Sequence, residues 1–203
     1  MRHTKFCRWN VSGALVVLAS LLAWPAVGVA QTVTGQAAAV QATVFSLLGG
    51  TTTLGLANTG SLSGPTDALE ASQLTGNLLG ALTAEVPSAT TIGYPDQVDS
   101  AASLANLSLT VGGTTISADS ILATATALLG ATGSGNAFVG NLLINGVPVG
   151  VTGQPNQTIS IPGGQLVINE QAVSPASTAV NALHATVSGV ADVVIGSAVA
   201  GIQ

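Results

Sequence analysis

Paired turn residues divide this chain at short intervals and leave no uninterrupted stretch long enough for a convincing helix. Gly112-Gly113, Asn145-Gly146, Gly163-Gly164 and Ser188-Gly189 each separate two runs rich in Val, Ile, Leu and Thr. Two-residue connections of this kind favour antiparallel hairpins, because both residues must accept positive φ, and Asn-Gly is the strongest such signal. The runs they separate are expected to be strands at residues 100–111, 114–129, 137–144, 147–152, 165–171, 179–187 and 191–202. In the first of these, Leu107, Leu109 and Val111 share one face. Further strands are expected at 36–48, 51–57 and 158–161, with turns at 58–65, 133–136 and 153–156.

Residues 68–82 are ambiguous. Leu69, Leu74, Leu78, Leu79 and Leu82 lie near helical spacing, but Gly76 and Gly80 interrupt them, and a strand is expected. Pro87 and Pro95 are read as the ends of a loop carrying Tyr94, Asp96 and Asp99. Pro148 marks its strand as an edge, because proline has no N–H for a central ladder. Short strands joined by glycine turns predict an all-β fold, an antiparallel β-sandwich, with a β-barrel as the alternative. No fixed-period repeat is present, which argues against a solenoid.

Residues 1–30 read as a secretory signal peptide. Arg2, Lys5 and Arg8 form a basic start, residues 11–23 are an apolar run ended by Pro25, and Gly28 and Ala30 offer a small-residue cleavage site. A single all-β domain is then expected over residues 31–203, secreted or otherwise extracytoplasmic, at the cell surface or in the periplasm. Every Lys and Arg lies before residue 9, and so do Cys7 and His3. Residues 31–203 therefore hold all eight carboxylates, one histidine (His184), and no Lys, Arg or Cys.

That balance excludes several functions. Nucleic acid and anionic lipid are held mainly by cationic side chains, so neither is an expected partner. A disulfide cannot form, and neither can a Schiff base. The run at 190–202 is too short to span a bilayer and contains Asp192. Phe45, Tyr94 and Phe138 are too few aromatics for the two girdles of an outer-membrane barrel.

The residues most open to chemistry form a polar cluster of Asn169, Glu170, Gln171 and His184. Strict alternation places Glu170 with Leu166 and Ile168, and His184 with Val180 and Ala182. Glu170 is then directed toward apolar neighbours and needs a partner; the two residues either meet across adjacent strands as a functional pair, or make a structural hydrogen bond or are unrelated surface residues. No catalytic residue, metal site or cofactor is assigned. No Gly-x-Ser-x-Gly elbow is present, and Asp96, Asp99 and Asp119 lack the spacing of a calcium loop. The sequons at Asn106 and Asn156 are read as coincidental, and Asn141, Asn145, Asn156 and Asn181 as turn or edge residues.

The strings VTGQPNQTISIPGGQLVINEQ (151–171) and TAVNALHATVSGVADVVIGSA (178–198) resemble the bacterial choice-of-anchor P proteins. SAASLANLSLTVGGTTISADSILATATA (100–127) is similar to that family's central segment. The resemblance runs from about residue 36 onward and implies a secreted or surface-displayed β domain with no known activity. The chain carries no LPxTG-like motif, terminal hydrophobic span or basic tail, and release is the expected fate.

The function expected is that of an exported, non-enzymatic structural or interaction domain. Its candidate partners are a cell-surface or matrix polymer or another copy of the chain. The alternative is a cryptic hydrolase or metal-binding protein using Glu170 and His184. If residues 1–30 are removed on export, denatured exported protein should survive trypsin uncut. Internal tryptic fragments seen by mass spectrometry would rule out the cleavage.

Overall fold

In a computed structural model the described residues are 31–45 and 50–203. The expected signal peptide and residues 46–49 of the first expected strand lie outside them. The described residues form fourteen strands, in chain order β1 (Val33–Phe45), β2 (Thr51–Asn58), β3 (Ala68–Ser72), β4 (Thr75–Leu78), β5 (Leu82–Gly93), β6 (Gln97–Val111) and β7 (Thr114–Leu128). These are followed by β8 (Ala131–Gly140), β9 (Leu143–Ile144), β10 (Val147–Pro148), β11 (Gln157–Ile161), β12 (Gly164–Val173), β13 (Ser177–Val187) and β14 (Ala191–Ile202).

Two antiparallel sheets result. One has six strands in the order β11-β12-β13-β14-β1-β2, and the other has eight, in the order β10-β9-β7-β6-β5-β3, with β4 beside β5 and β8 beside β7. β14 packs over β6 and β7, β1 over β5 and β6, and β13 over β7 and β8, so the sheets lie face to face as a β-sandwich. Residues Gln31–Gln203 cluster as one compact unit.

Strict alternation fails at one level in each sheet, and fails in every strand it crosses. In the six-stranded sheet, the pairs Ala38↔Asn58 and Val40↔Leu56 leave Ala39 opposite Ala57. The same logic sets Gly196 opposite Ala39 and Ala182, and Asn169 opposite Ala182. Ala57, Gly196 and Asn169 have φ of 46°, 62° and 52°. Left-handed residues thus occupy every second strand along a line across the sheet. A matching line crosses the other sheet through Val86, Asn106 and Asn141, with Asp119 opposite both asparagines. Asparagine tolerates this conformation better than most residues, whereas a β-branched residue such as Val86 is strained there, at a cost of about 1–3 kcal/mol.

The consequence is a phase slip in what each strand buries. Ala39 and Val40, Ala182 and Leu183, and Ile195 and Gly196 are buried in succession. On one side of the line the core is built from large residues, including Leu107, Leu109, Ile116, Leu166, Leu183 and Ile195. On the other side it is built mainly from Ala37, Ala102, Ala123, Ala125, Ala198 and Ala200. At the small-residue end the sheets come close enough for Ser100 Oγ to donate across to the Val199 carbonyl at 2.6 Å, while Thr91 Oγ1 lies 2.7 Å from Ser100 Oγ.

Three expectations are corrected. Residues 133–136 are not a turn but part of β8. Its glycines are there because a Cβ at Gly133 or Gly135 would run into Thr178 and Val180 of the facing sheet. The expected loop shrinks to residues 94–96, which hold Tyr94 and Asp96, since β5 runs through Pro87 to Gly93 and Asp99 lies in β6. Proline is accommodated because it follows the left-handed Val86 at a break in register, where no ladder donor is needed. Asn181 sits in the middle of β13, at neither a turn nor an edge. Residues 68–82 are extended, as expected, but as two short strands beside β5 and the start of β5 itself. The Asn145-Gly146 hairpin is present, with β10 and Pro148 at the sheet edge.

Gly196→Ala should destabilise the domain by roughly 2 kcal/mol or more, because a Cβ there is both left-handed and overpacked. It would sit 3.1 Å from Ala182 Cβ and Ile121 Cγ2. An unchanged denaturant midpoint would contradict this. In the connection from β2 to β3, the Ser63 backbone N–H and hydroxyl both donate to Asp67 Oδ2 at 2.8 Å. They hold the Asp67 carboxyl below its ordinary value. A depressed folded-state value adds stability above the unfolded carboxylate range, and that stability is lost as pH falls through the folded value. The stability gap between wild type and Asp67→Asn should therefore close on acidification, as read from melting temperatures across pH.

Candidate functional site

The four residues of the polar cluster divide between the two sides of the six-stranded sheet. Left-handed Asn169 is the reason. It is buried at 2% exposure and reverses the alternation of β12, so that Glu170 emerges on the outer face although Leu166 and Ile168 face the core. The slip at Ala182–Leu183 does the same for His184. Both residues were expected among apolar neighbours, and both lie instead on the half-exposed outer surface. They still meet across the β12–β13 pair, because the reversal moves them together.

On that surface His184 is held from both sides. Its Nδ1 lies 2.8 Å from Glu170 Oε2 on β12, and its Nε2 lies 3.1 Å from Asp192 Oδ1 on β14. The three side chains are 21%, 33% and 41% exposed, in the order His184, Glu170, Asp192. A neutral ring can donate to one of the two carboxylates and a protonated ring to both. Asn181 Nδ2 also donates to Glu170 Oε2, at 2.7 Å. The array links three neighbouring strands. Asp192 was not named with the others because it is distant in sequence from Glu170 and sits one strand beyond the expected pair.

The inner half of the cluster is structural. Asn169 Nδ2 donates to the Gly153 carbonyl at 3.1 Å, and Gln171 Nε2 donates to Asn169 Oδ1 at 2.7 Å. Gln171 Nε2 also reaches the Gly135 carbonyl of β8 at 3.1 Å. These bonds tie β12 to the facing sheet and to the turn before β11, closing one side of the sandwich. Asn156 completes the tie by accepting from the Gln171 backbone N–H at 2.9 Å.

Three further carboxylates pair with neutral donors. Asp99 accepts from Gln97 at 2.6 Å and from Thr126 at 2.7 Å, and Glu85 accepts from Asn106 at 2.6 Å. Asp119 accepts from Asn141. Asp99 lies opposite Thr126 and Asp119 opposite Asn106, which separates them along the β6–β7 hairpin. Among the described residues, no three His, Cys, Asp or Glu side chains are placed to hold a metal ion, and no helix is long and apolar enough to cross a membrane.

Two concavities lie near this geometry. A shallow groove of about 390 Å³ on the outer face of the six-stranded sheet is lined by Gln41, Thr43, Thr53, Gly55, Asn58 and Asp192. An apolar cavity of about 200 Å³ lies at the large-residue end, between Ala42, Val44, Leu82, Leu109, Val111 and Val193. Neither holds Glu170 or His184. Phe138, 56% exposed and opposite Leu122 on the outer face of β8, is an exposed aromatic that the sequence did not single out.

Comparison with known protein families, curated proteins and solved structures finds no match.

A double-mutant cycle on Glu170→Gln and His184→Gln should give a coupling of about 0.5–1 kcal/mol, as for a partly exposed ion pair. Additive effects on unfolding free energy would show that the two side chains do not interact.

Proposed function

We propose that this chain is an exported, non-enzymatic structural or interaction domain that presents an acidic, hydroxyl-rich β surface outside the cytoplasm. The observation that carries this reading is the disposition of the polar groups. Glu85, Asp99, Asp119, Glu170, His184 and Asp192 lie on the outer faces of the two sheets and are paired with neighbouring side chains. A catalytic or metal site brings polar groups together at a concavity with spare valence. His184 instead turns both ring nitrogens to carboxylates of neighbouring strands, and neither concavity is lined by it. The resemblance to choice-of-anchor P proteins supports the same reading, as does the signal-like composition of residues 1–30.

The partner of such a surface is a neutral, hydroxyl-bearing polymer of a cell wall or matrix, or another copy of the chain. With no Lys or Arg beyond residue 8, a polyanionic polymer finds neither of these cations to hold it. Passing the purified exported protein over cell-wall, neutral-polysaccharide and self-coupled supports tests this. Retention on at least one is expected, and flow-through from all three would sink the reading.

A further inference from the structure

We propose that copies of this chain join through the six-stranded sheet, β2 of one copy pairing with β11 of the next, so that the sheet continues from molecule to molecule. The proposal rests on the interaction reading above and names a second copy as the partner.

The two outer strands of that sheet lack the usual guards. β2 pairs only with β1 and β11 only with β12. Edge strands are normally protected by charge, proline or brevity, because their unpaired backbone groups accept another strand. Neither TTTLGLAN of β2 nor QTISI of β11 contains a charge or a proline. Thr51, Thr52 and Thr53 are exposed, and so are Thr158 and Ser160. In the eight-stranded sheet the two ends of the main path are guarded, since β3 carries Glu70 and β10 is two residues long and includes Pro148, whereas β4 and β8, beside β5 and β7, carry neither charge nor proline. Only in the six-stranded sheet do both ends of the strand order lack a guard.

The direction of the strands fits a head-to-tail joint. Six strands, each antiparallel to its neighbour, leave β2 and β11 running in opposite directions. A copy translated across the sheet therefore sets its β11 antiparallel to β2, at a repeat of roughly 29 Å for six strands at about 4.8 Å. Main-chain hydrogen bonds then supply the attraction, as in strand addition generally.

Charge selects the pairing. Residues 31–203 contain no Lys or Arg, so two copies have no Lys or Arg salt bridge to form. They can meet only where carboxylates are absent. β2 is flanked by β3 of the facing sheet, so two β2 edges meeting about a two-fold axis would bring their Glu70 side chains toward each other. In the head-to-tail joint the β3 flank meets the β11 side. There the adjoining segment 149–156, tied to β11 by Gln157 Nε2 donating to the Gly150 carbonyl at 2.7 Å, carries no carboxylate. A joint between unlike edges leaves a free edge on each end of a joined pair, so growth continues beyond a dimer, into a ring or an open array.

Two exposed double substitutions test the order of the joint: Thr51→Glu with Thr53→Glu on β2, and Thr158→Glu with Ser160→Glu on β11. By light scattering after size exclusion, wild-type exported protein should grow in mass with concentration beyond a dimer. Each variant alone should remain monomeric, and an equal mixture should stop at the heterodimer. Circular dichroism checks that both variants keep their strands. Hydrogen exchange on the wild type reads the joint without substitution, as a concentration-dependent loss of exchange rate confined to β2 and β11. A wild type monomeric at all concentrations overturns the proposal, and so does a β2 variant that assembles like the wild type. A monomer still retained on polysaccharide overturns self-joining while leaving the interaction reading intact.

Discussion

The line of left-handed residues crossing each sheet is the constraint on which the rest of the structure depends. A single residue of positive φ in a strand reverses which side chains face the core, and one such reversal alone would break the register with both neighbours. Here the slips at Ala39–Val40, Ala182–Leu183 and Ile195–Gly196 fall at the same level, so the ladders of β1, β13 and β14 resume in register on either side. The cost of the strained positions is borne once, as a shared feature, rather than as unrelated defects. The line also divides the core. Large aliphatic residues fill one half, and alanines draw the sheets together in the other, where Ser100 bonds directly to the opposite sheet.

A second constraint is electrostatic. With carboxylates but no Lys or Arg among residues 31–203, each acid must find neutral donors, the one imidazole, or water. Asn and Thr side chains meet that need on the outer faces, at Glu85, Asp99 and Asp119. Asn106 and Asn141 do so from left-handed positions, so the same residues that allow the slip also solvate the acids beside it. Asn169 acts on the inner side of its sheet, and in reversing β12 it delivers Glu170 to His184.

Much of this was legible in the chain. The glycine and Asn-Gly turns mark the hairpins at 112–113 and 145–146, while the turn before β12 falls one residue earlier than Gly163-Gly164, at 162–163, and Leu107, Leu109 and Val111 share a buried face as their spacing indicates. The pairing of Glu170 with His184 could also be anticipated, but not the face on which it occurs. Strict alternation assigns both residues inward, and nothing local marks Asn169 or Gly196 as left-handed rather than as an ordinary strand residue and a weak point. Gly133 and Gly135 misled in the opposite sense. They look like a turn, yet they are flat strand positions required by the close passage of β13. Asp192 was missed because its contact with His184 depends on the β13–β14 register.

The sequence by itself determined an all-β antiparallel chain, because turn chemistry and β-branched runs are local properties. It also determined the charge balance, because composition does not depend on folding. Only the tertiary structure decided which side of each strand is the inside, because that choice is made jointly by neighbouring strands whose phase slips must coincide. It likewise decided which strands are edges, since edges exist only once strand order is fixed.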